Sequence, residues 1–269
     1  MPLSSNNIAL ITGASSGLGV EFANQLAAKG FDLILVARRE EPLAQLSDLL
    51  QSNYGTKTIV LPIDLSLSTG IEQVISTITC SPNIEFLVNN AGFGTVGRFA
   101  RVEVEKEHAM LQVHMIAPVM FCRAVLPEMI SRNHGVIINV ASLAGIMPIR
   151  NVLYGSSKSF LIKFSEALAA ELGNTAVCVQ ALCPGFILTE FHDTSEYTRF
   201  SRTSIPRFLW MTPQLVVSES LRLLPSGKVI CIPGNLYRFA GTLARNSLTA
   251  GLINSIARFI LRRKKYNKV

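Results

Sequence analysis

A tyrosine and a lysine stand four residues apart in the stretch that begins at Leu153. Side chains at this spacing share one face of a helix, so Tyr154 and Lys158 are expected to be neighbours. An ammonium beside a phenol favours the phenolate and lowers a reference pKa of about 10, which suits proton transfer at neutral pH. Ser142, at the carboxyl end of an apolar run, could hydrogen-bond the same reacting oxygen. The alternatives are an ordinary helix face for the pair and a simple turn cap for Ser142.

A glycine-rich turn near the start of the chain could hold a phosphate. An apolar run beginning at Ile8 leads into Gly13-x-x-x-Gly17-x-Gly19, and a helical pattern follows to about Lys29. Glycine permits positive φ and close approach, and a helix N-terminus favours an anion. The stretch predicts a strand, a turn and a helix around a pyrophosphate, although such a turn could also serve only to pack a helix closely on a strand.

Arg38 and Arg39 follow the second apolar run, Phe31 to Ala37, about 20 residues after the glycines. At this place in dinucleotide folds an acid accepts from a ribose 2′-OH, whereas Arg accommodates a 2′-phosphate. The pair therefore favours NADP(H) over NAD(H), unless it only begins the next helix and pairs with nearby acids. Asp64, after the third run, could bond an adenine amino group or cap a helix.

Five motifs then occur in one order at compatible separations: Thr12-Gly-x-x-x-Gly-x-Gly19, Asn89-Asn-Ala-Gly92, Ser142, Tyr154-x-x-x-Lys158 and Pro184-Gly185. Together they resemble the short-chain dehydrogenase/reductase family over about residues 8 to 232. The resemblance implies that Tyr154 is the general acid and base, that Ser142 stabilises the reacting oxygen, and that Lys158 also holds the nicotinamide ribose. It further implies contact of Ile187 and Thr189 with the carboxamide end of the cofactor. The other expected cofactor-binding residues are Gly13, Ser15, Ser16, Gly17, Leu18, Gly19, Arg38, Arg39, Asp64, Leu65, Asn90, Ala91, Gly92, Pro184 and Gly185.

His114 departs from the family's pattern, which usually places an Asn here to help hold a water for proton transfer. A histidine could bind that water or relay a proton, and its reference pKa of about 6.5 would add a pH dependence. The other interpretation is a partly buried neutral histidine with a backbone partner. We therefore include His114 among the candidate catalytic residues, and we predict no metal site.

Apolar runs alternate with helical patterns along most of the chain, which predicts an α/β fold. The expected architecture is a Rossmann-type, doubly wound, seven-stranded parallel sheet with helices on both faces. The 269 residues fit a single domain. An aromatic-rich stretch without strand period, about 186–212, is expected to form a substrate lid, and about 235–269 a basic helical extension.

The net charge of +7 is a property of the C-terminal end. Nine Lys or Arg and no acid lie between Lys228 and Val269, which leaves 16 basic against 18 acidic residues before them. This distribution argues against nucleic acid as a partner. Residues 248–265 combine an apolar stripe with Arg262-Arg-Lys-Lys265, a pattern typical of a peripheral membrane helix, or of a subunit-contact or core-covering helix with a solvated basic end.

Five scattered cysteines without a C-x-x-C pattern favour reduced thiols and a cytoplasmic location. The first residues lack the pattern of a signal peptide, and no continuous apolar run reaches the roughly 18 residues of a membrane span. The resemblance implies a homodimer or homotetramer.

The leading functional hypothesis is NADP(H)-dependent hydride transfer to or from an apolar carbonyl or secondary alcohol. An apolar lid and four residues expected around the oxygen site suggest that substrate class: Leu143, Ile146, Met147 and Leu153. Lid arginines Arg199, Arg202 and Arg207 could instead hold an anionic tail. The alternatives are a reductase of 3-oxoacyl thioesters or hydroxysteroids, and an NADP(H)-binding sensor or scaffold without turnover.

Overall fold

The computed structural model describes residues 7–147, 149, 151–192 and 202–245. The described chain has eight α-helices and nine strands. The strands are β1 Ile8–Thr12, β2 Asp32–Ala37, β3 Thr58–Pro62, β4 Ile84–Asn89, β5 Gly135–Val140, β6 Val177–Leu182, β7 Phe186–Ile187, β8 Trp210–Met211 and β9 Ile230–Cys231. The helices are α1 Gly17–Ala27, α2 Glu40–Tyr54, α3 Ser68–Thr79, α4 Val104–Leu111, α5 Ala117–Ser131, α6 Val152–Glu171, α7 Pro213–Leu223 and α8 Asn235–Arg245.

Seven strands form one parallel sheet in the order β3-β2-β1-β4-β5-β6-β9. The predicted Rossmann-type architecture is confirmed. The strand order reverses between β1 and β4, and ligands of open α/β sheets bind outside the carboxyl ends of strands at such a point. The fold therefore puts its binding cleft next to the glycine turn.

The sheet is buried on both faces, as its continuous apolar strands predict. Successive residues of β1 illustrate this: Ala9 and Ile11 pack in one core layer, whereas Ile8 and Leu10 pack in the other. Phe22 of α1 fills the first layer and Phe121 of α5 the second, both fully buried. Large side chains on both faces hold the strand ends in fixed positions.

The helical segment before β5 is not the uninterrupted α-helix that its apolar spacing predicts. A five-residue π-turn, Gln112–Ile116, separates α4 from α5. Such turns insert one extra residue per turn and occur frequently at functional sites. The turn includes His114, which it points toward α6.

Among the described residues, the segment Val104–Ser131 is long and apolar enough to cross a membrane by length and composition. No such stretch was predicted from the sequence, because no unbroken apolar run reaches that length. In the fold, Phe121, Val125 and Met129 of this segment are buried in the core.

The stretch predicted to be a lid contains a small structured base. Its strands β7 and β8 form a two-stranded parallel sheet that pairs Phe186 with Trp210 and Ile187 with Met211. Sequence periodicity could not reveal strands of two residues. The last strand of the main sheet, β9, likewise has only two residues, Ile230–Cys231.

Candidate active site

The turn between β1 and α1 is tight, and its glycines stand where the backbone leaves no room for a side chain. Gly13 and Gly17 have φ of +66° and +56°, a region that favours glycine. A Cβ on Gly13 would lie 2.9 Å from the Ala91 Cα, and one on Gly19 would lie 2.1 Å from the Gly13 carbonyl oxygen. The turn thus passes close to the end of β4 and leaves its backbone open to the cleft.

Thr12 ties the carboxyl ends of β1 and β4 together. Its hydroxyl oxygen accepts from the backbone N–H groups of Asn90 and Ala91, both at 3.0 Å. The Asn90 amide nitrogen donates to the carbonyl oxygens of Thr12 at 2.9 Å and Gly13 at 3.2 Å. These bonds fix the two strand ends that border the turn, a role that the sequence analysis did not assign to Thr12.

The candidate catalytic side chains converge at the end of β5. Lys158 is 4% exposed, and its Nζ donates to the carbonyl oxygen of Val140 at 2.8 Å. That nitrogen lies 5.8 Å from the centre of the Tyr154 ring. The Ser142 hydroxyl lies close enough to Tyr154 to lower the pKa of the phenol in part, and its oxygen accepts from the Ala144 N–H at 3.1 Å. Ser142 is therefore both a turn cap and a neighbour of the phenol.

Asn151 fixes the beginning of the helix that carries Tyr154 and Lys158. As the N-cap residue of α6, its Oδ1 accepts from the Tyr154 N–H at 3.1 Å. Its Nδ2 donates to the carbonyl oxygen of Thr95 in the loop after β4. This residue was not among the predicted site residues, although an Asn immediately before the first apolar residues of a helix is a recognisable cap signal.

Burial, and not the neighbouring lysine, dominates the ionisation of Tyr154. Burial raises the pKa of the phenol above its ordinary value of 10, and the hydrogen bond with Ser142 lowers it in part. Burial also lowers the pKa of Lys158 to about 8, while the nearby Cys183 raises it in part. The predicted net lowering of the Tyr154 pKa is therefore wrong for this structure, because desolvation of the phenol outweighs the attraction of the ammonium.

His114 is fully buried and both its ring nitrogens are occupied. Nε2 accepts from the Phe93 N–H at 3.1 Å, and Nδ1 lies 2.9 Å from Ser157 Oγ. An accepting Nε2 assigns the proton of the neutral ring to Nδ1, which donates to Ser157. Burial lowers the pKa of His114 well below 6.5, and the Lys158 charge lowers it further. The structure thus favours the neutral, backbone-bonded histidine over the titrating proton relay.

The adenosine end of the cleft contains the predicted polar groups. The Arg39 guanidinium donates through Nη2 to the Ser15 carbonyl oxygen at 3.0 Å. Arg38 is exposed and lines the same cleft. The Asp64 Oδ1 accepts from the Ser66 N–H at 2.9 Å, so this carboxylate stabilises the turn before α3 while facing the cleft.

All of these groups meet in one cleft of about 930 Å³. Every predicted site residue except Gly19 and His114 lines it. Of the four residues expected near the oxygen site, Leu143 and Met147 line the cleft, whereas Ile146 and Leu153 do not. Ile146 packs instead in the small apolar cluster beside β6. In the described part of the chain, no group of His, Cys, Asp or Glu is arranged to hold a metal ion.

Several residues that line the cleft were absent from the predicted site, among them Glu190, Phe191 and Tyr237. The Phe191 ring lies 6.0 Å from that of Tyr154. The Tyr237 hydroxyl, on α8, donates to the Leu209 carbonyl oxygen at 2.7 Å and accepts from the Phe186 N–H at 3.3 Å. No local pattern marks these residues, because only tertiary packing brings the lid and α8 to the cleft.

Of the three predicted lid arginines, Arg199 lies outside the described residues. Arg202 donates to the Thr189 carbonyl oxygen at 2.7 Å and stands over the Trp210 ring. Arg207 is exposed in a short 3₁₀ turn. Arg202 therefore stabilises the lid. This role argues against the prediction that Arg202 binds an anionic tail of the substrate.

A family model described as short chain dehydrogenase matches residues 7–199 of the chain. Among curated relatives, the ketoacyl reductase HetN of Nostoc sp. is 32% identical over 221 residues, which cover 80% of this chain and 74% of HetN. The very-long-chain 3-oxoacyl-CoA reductase-B of Danio rerio is 32% identical over 68% of this chain and 60% of its own length. The NADP-dependent 3-hydroxy acid dehydrogenase YdfG of Escherichia coli O6:H1 is 34% identical over 67% of this chain and 72% of YdfG.

Solved structures give the same result at the level of the fold. A short-chain dehydrogenase from Sphingobium yanoikuyae in complex with NADPH is 25% identical, with a TM-score of 0.79 over 98% of each chain. A 7β-hydroxysteroid dehydrogenase is 26% identical, with a TM-score of 0.83 over 93% of this chain and 96% of that one.

Proposed function

This chain belongs to the short-chain dehydrogenase/reductase family and is an NADP(H)-dependent oxidoreductase; from that premise we propose that Tyr154 is its general acid and base. The observation that carries the proposal is the meeting of Ser142, Tyr154 and Lys158 in the cleft that the glycine turn also borders. Hydride transfer between the nicotinamide and a carbonyl or secondary alcohol is the reaction that such a set of groups supports.

The glycine turn and its surroundings fit a dinucleotide. The space that a Cβ on Gly13 would fill is bounded by Ala91 and the Asn90 amide, and a Cβ on Gly92 would lie 3.0 Å from His114 Nε2. These backbone surfaces leave room for a pyrophosphate beside the N-terminus of α1. We assign the 2′-phosphate to Arg38 and Arg39, and the nicotinamide end to Pro184, Ile187 and Thr189.

When bound, NADPH supplies the hydride for the reduction. Tyr154 donates its proton to the carbonyl oxygen, and Ser142 donates a hydrogen bond that stabilises the charge developing on that oxygen. The raised pKa keeps the phenol protonated at neutral pH, as an acid in the reductive direction requires. Lys158, with a pKa of about 8, is mostly charged there and stabilises the phenolate that proton donation leaves.

We propose an apolar substrate, because the cleft beside Tyr154 is lined by Phe93, Val113, Leu143, Met147 and Phe191. A 3-oxoacyl thioester is the second candidate, since HetN and the Danio rerio reductase carry names of that class. A hydroxysteroid is supported in the same way by the 7β-hydroxysteroid dehydrogenase fold. Relatives in this family act on small molecules, so each candidate agrees with the family.

A substrate panel followed through the NADPH absorbance tests the function. We expect wild-type protein to reduce apolar ketones, and Tyr154→Phe to lose at least about a thousandfold in kcat while binding NADPH as tightly as wild type. Tyr54→Phe, at an exposed tyrosine of α2, is the control and should retain full activity. Activity confined to acyl thioesters would replace the simple-carbonyl assignment, and normal turnover by Tyr154→Phe would refute the assigned role.

Cellular location and assembly are further proposals. A cytoplasmic location is supported by the free thiols of all five cysteines, and the homodimer or homotetramer by family membership alone. The proposed membrane helix, about residues 248–265, lies outside the described residues. If this segment binds the membrane, truncation before residue 248 should abolish binding of the protein to anionic vesicles. Unchanged vesicle binding would exclude the segment as the membrane contact.

A further inference from the structure

The Arg39 guanidinium is already bound to an anion of the protein itself. Its Nη2 lies 3.2 Å from the Glu190 Oε2, and the same group donates to the Ser15 carbonyl oxygen and hydroxyl at 3.0 and 3.3 Å. The guanidinium thus lies over the glycine turn, with a carboxylate on one side. Glu190 and Arg39 are 151 residues apart in sequence, and both line the cofactor cleft.

The backbone around Glu190 is held against the turn by other contacts. Thr189 lies beside Gly17, where a Cβ would approach the threonine methyl to 3.0 Å. The Thr189 N–H donates to the Ile187 carbonyl oxygen at 2.9 Å, and the Thr189 carbonyl oxygen accepts from Arg202. The carboxylate is therefore presented to Arg39 by an ordered segment at the base of the lid.

A carboxylate on a guanidinium occupies donors that a phosphate would use. Arg binds both anions through the same planar set of N–H groups, and a phosphate monoester carries about −1.5 to −2 charges at neutral pH. A 2′-phosphate arriving at Arg39 must displace the Glu190 carboxylate or lie beside a like charge. Arg38 differs: among the described residues, no hydrogen bond or ion pair engages its side chain.

We propose that Glu190 is a specificity-determining residue that competes with the 2′-phosphate of NADP(H) for Arg39. The inference rests on the proposed assignment of that phosphate to Arg38 and Arg39. Glu190 thereby reduces the preference for NADP(H) over NAD(H) below what two arginines alone would give. When no NADP(H) is bound, the Glu190 carboxylate forms with Arg39 the ion pair that the 2′-phosphate would otherwise form.

The size of the effect follows from exposure. The two side chains are 52% and 66% exposed, and ion pairs of this kind are weak because water and salt screen them. Removing the carboxylate charge should therefore tighten phosphate binding by about three- to fivefold at low salt. The gain should shrink as the ionic strength rises.

Binding of 2′,5′-ADP and 5′-AMP to the full-length protein isolates the 2′-phosphate, and calorimetry can measure both. For Glu190→Gln we expect a three- to fivefold lower Kd for 2′,5′-ADP and a Kd for 5′-AMP within about twofold of wild type. Glu41→Gln is the matched control: it removes the same charge beside Arg39, from an exposed side chain that bonds Gln45. It should change neither Kd by more than about twofold. Melting temperatures of all variants verify folding.

A double variant shows whether the gain passes through Arg39. Adding Glu190→Gln to Arg39→Gln should give no gain over Arg39→Gln alone, because the competition requires the guanidinium. Unchanged or weaker 2′,5′-ADP binding by Glu190→Gln would overturn the inference while leaving the cofactor assignment intact. Equal wild-type affinities for 2′,5′-ADP and 5′-AMP would overturn both, and an equal gain in Glu41→Gln would reduce the effect to overall charge.

Discussion

At the scale of the residue, the proposed chemistry depends on a buried phenol and a buried ammonium whose pKa values shift in opposite directions. Burial raises the pKa of Tyr154 and lowers that of Lys158 to about 8. Desolvation disfavours the charged form of each group, so the acid form of the phenol is stabilised. The arrangement suits carbonyl reduction, in which Tyr154 begins protonated.

The pH dependence of the two directions should differ. Carbonyl reduction should be constant below about pH 7 and decline above about pH 8, because Lys158 loses its proton as the pH rises through its pKa. Alcohol oxidation begins from the phenolate, so its rate should rise only at higher pH, because burial raises the pKa of Tyr154 above the ordinary phenol value of 10. Initial rates of both reactions across the pH range measure this. A reductive rate that increases above pH 8 would contradict the assignment.

His114 should contribute no acid limb to either profile. Its pKa lies well below 6.5, so it stays neutral through the physiological range. His114→Ala should cost about 1–3 kcal/mol of stability, because the half-buried Phe93 N–H loses its acceptor and the buried Ser157 oxygen loses its donor. Denaturant unfolding measures that loss. A profile in which wild type, but not the variant, titrates near pH 6.5 would restore the histidine as a proton relay.

At the scale of the element, two helix ends hold the site in place. The N-terminus of α6 is capped by Asn151, and α8 is docked by the Arg238–Glu219 ion pair at 2.7 Å. The spacing of Tyr154 and Lys158 predicted that they share one face of α6. The sequence could not predict the docking of α8, because the partners of Tyr237 and Arg238 are brought near only by folding.

Asn151 offers a test of how the start of α6 positions Tyr154. Asn151→Ala removes both the cap and the bond to Thr95, so we expect a loss of about 1–2 kcal/mol in stability and about tenfold in kcat. Asn151→Asp keeps an acceptor for the Tyr154 N–H and should recover most of the stability. Unfolding and steady-state kinetics report the two effects. Full activity in Asn151→Ala would show that the cap does not position the phenol.

Tyr237 tests the contact between α8 and the lid base. Tyr237→Phe keeps the ring against Gly185 but removes the hydroxyl that bonds Phe186 and Leu209. We expect KM for the carbonyl substrate to rise about three- to tenfold with kcat changed less than twofold, because the lid base loosens while the catalytic groups stay in place. The steady-state constants measure this split. A fall in kcat at constant KM would instead place Tyr237 in the chemical step.

At the scale of the whole molecule, the parallel sheet and the cofactor turn could be predicted because each depends on local sequence. Buried parallel strands are continuous apolar runs, and the glycines of the turn are required by backbone geometry at Gly13 and Gly19. The lid contacts of Glu190 and Phe191 depend on distant partners and left no local pattern. The sign of the Tyr154 shift was missed for a similar reason, since desolvation is a property of the packed site.

The most direct measurement follows deuterium from the 4-position of labelled NADPH into the product of an apolar ketone. We expect deuterium at the carbinol carbon with wild-type protein, formed with consumption of one NADPH per alcohol. We expect almost no labelled alcohol from Tyr154→Phe, which should still bind the cofactor. Labelled product from Tyr154→Phe at the wild-type rate, or no product from wild type with any carbonyl of the panel, would contradict the proposed function.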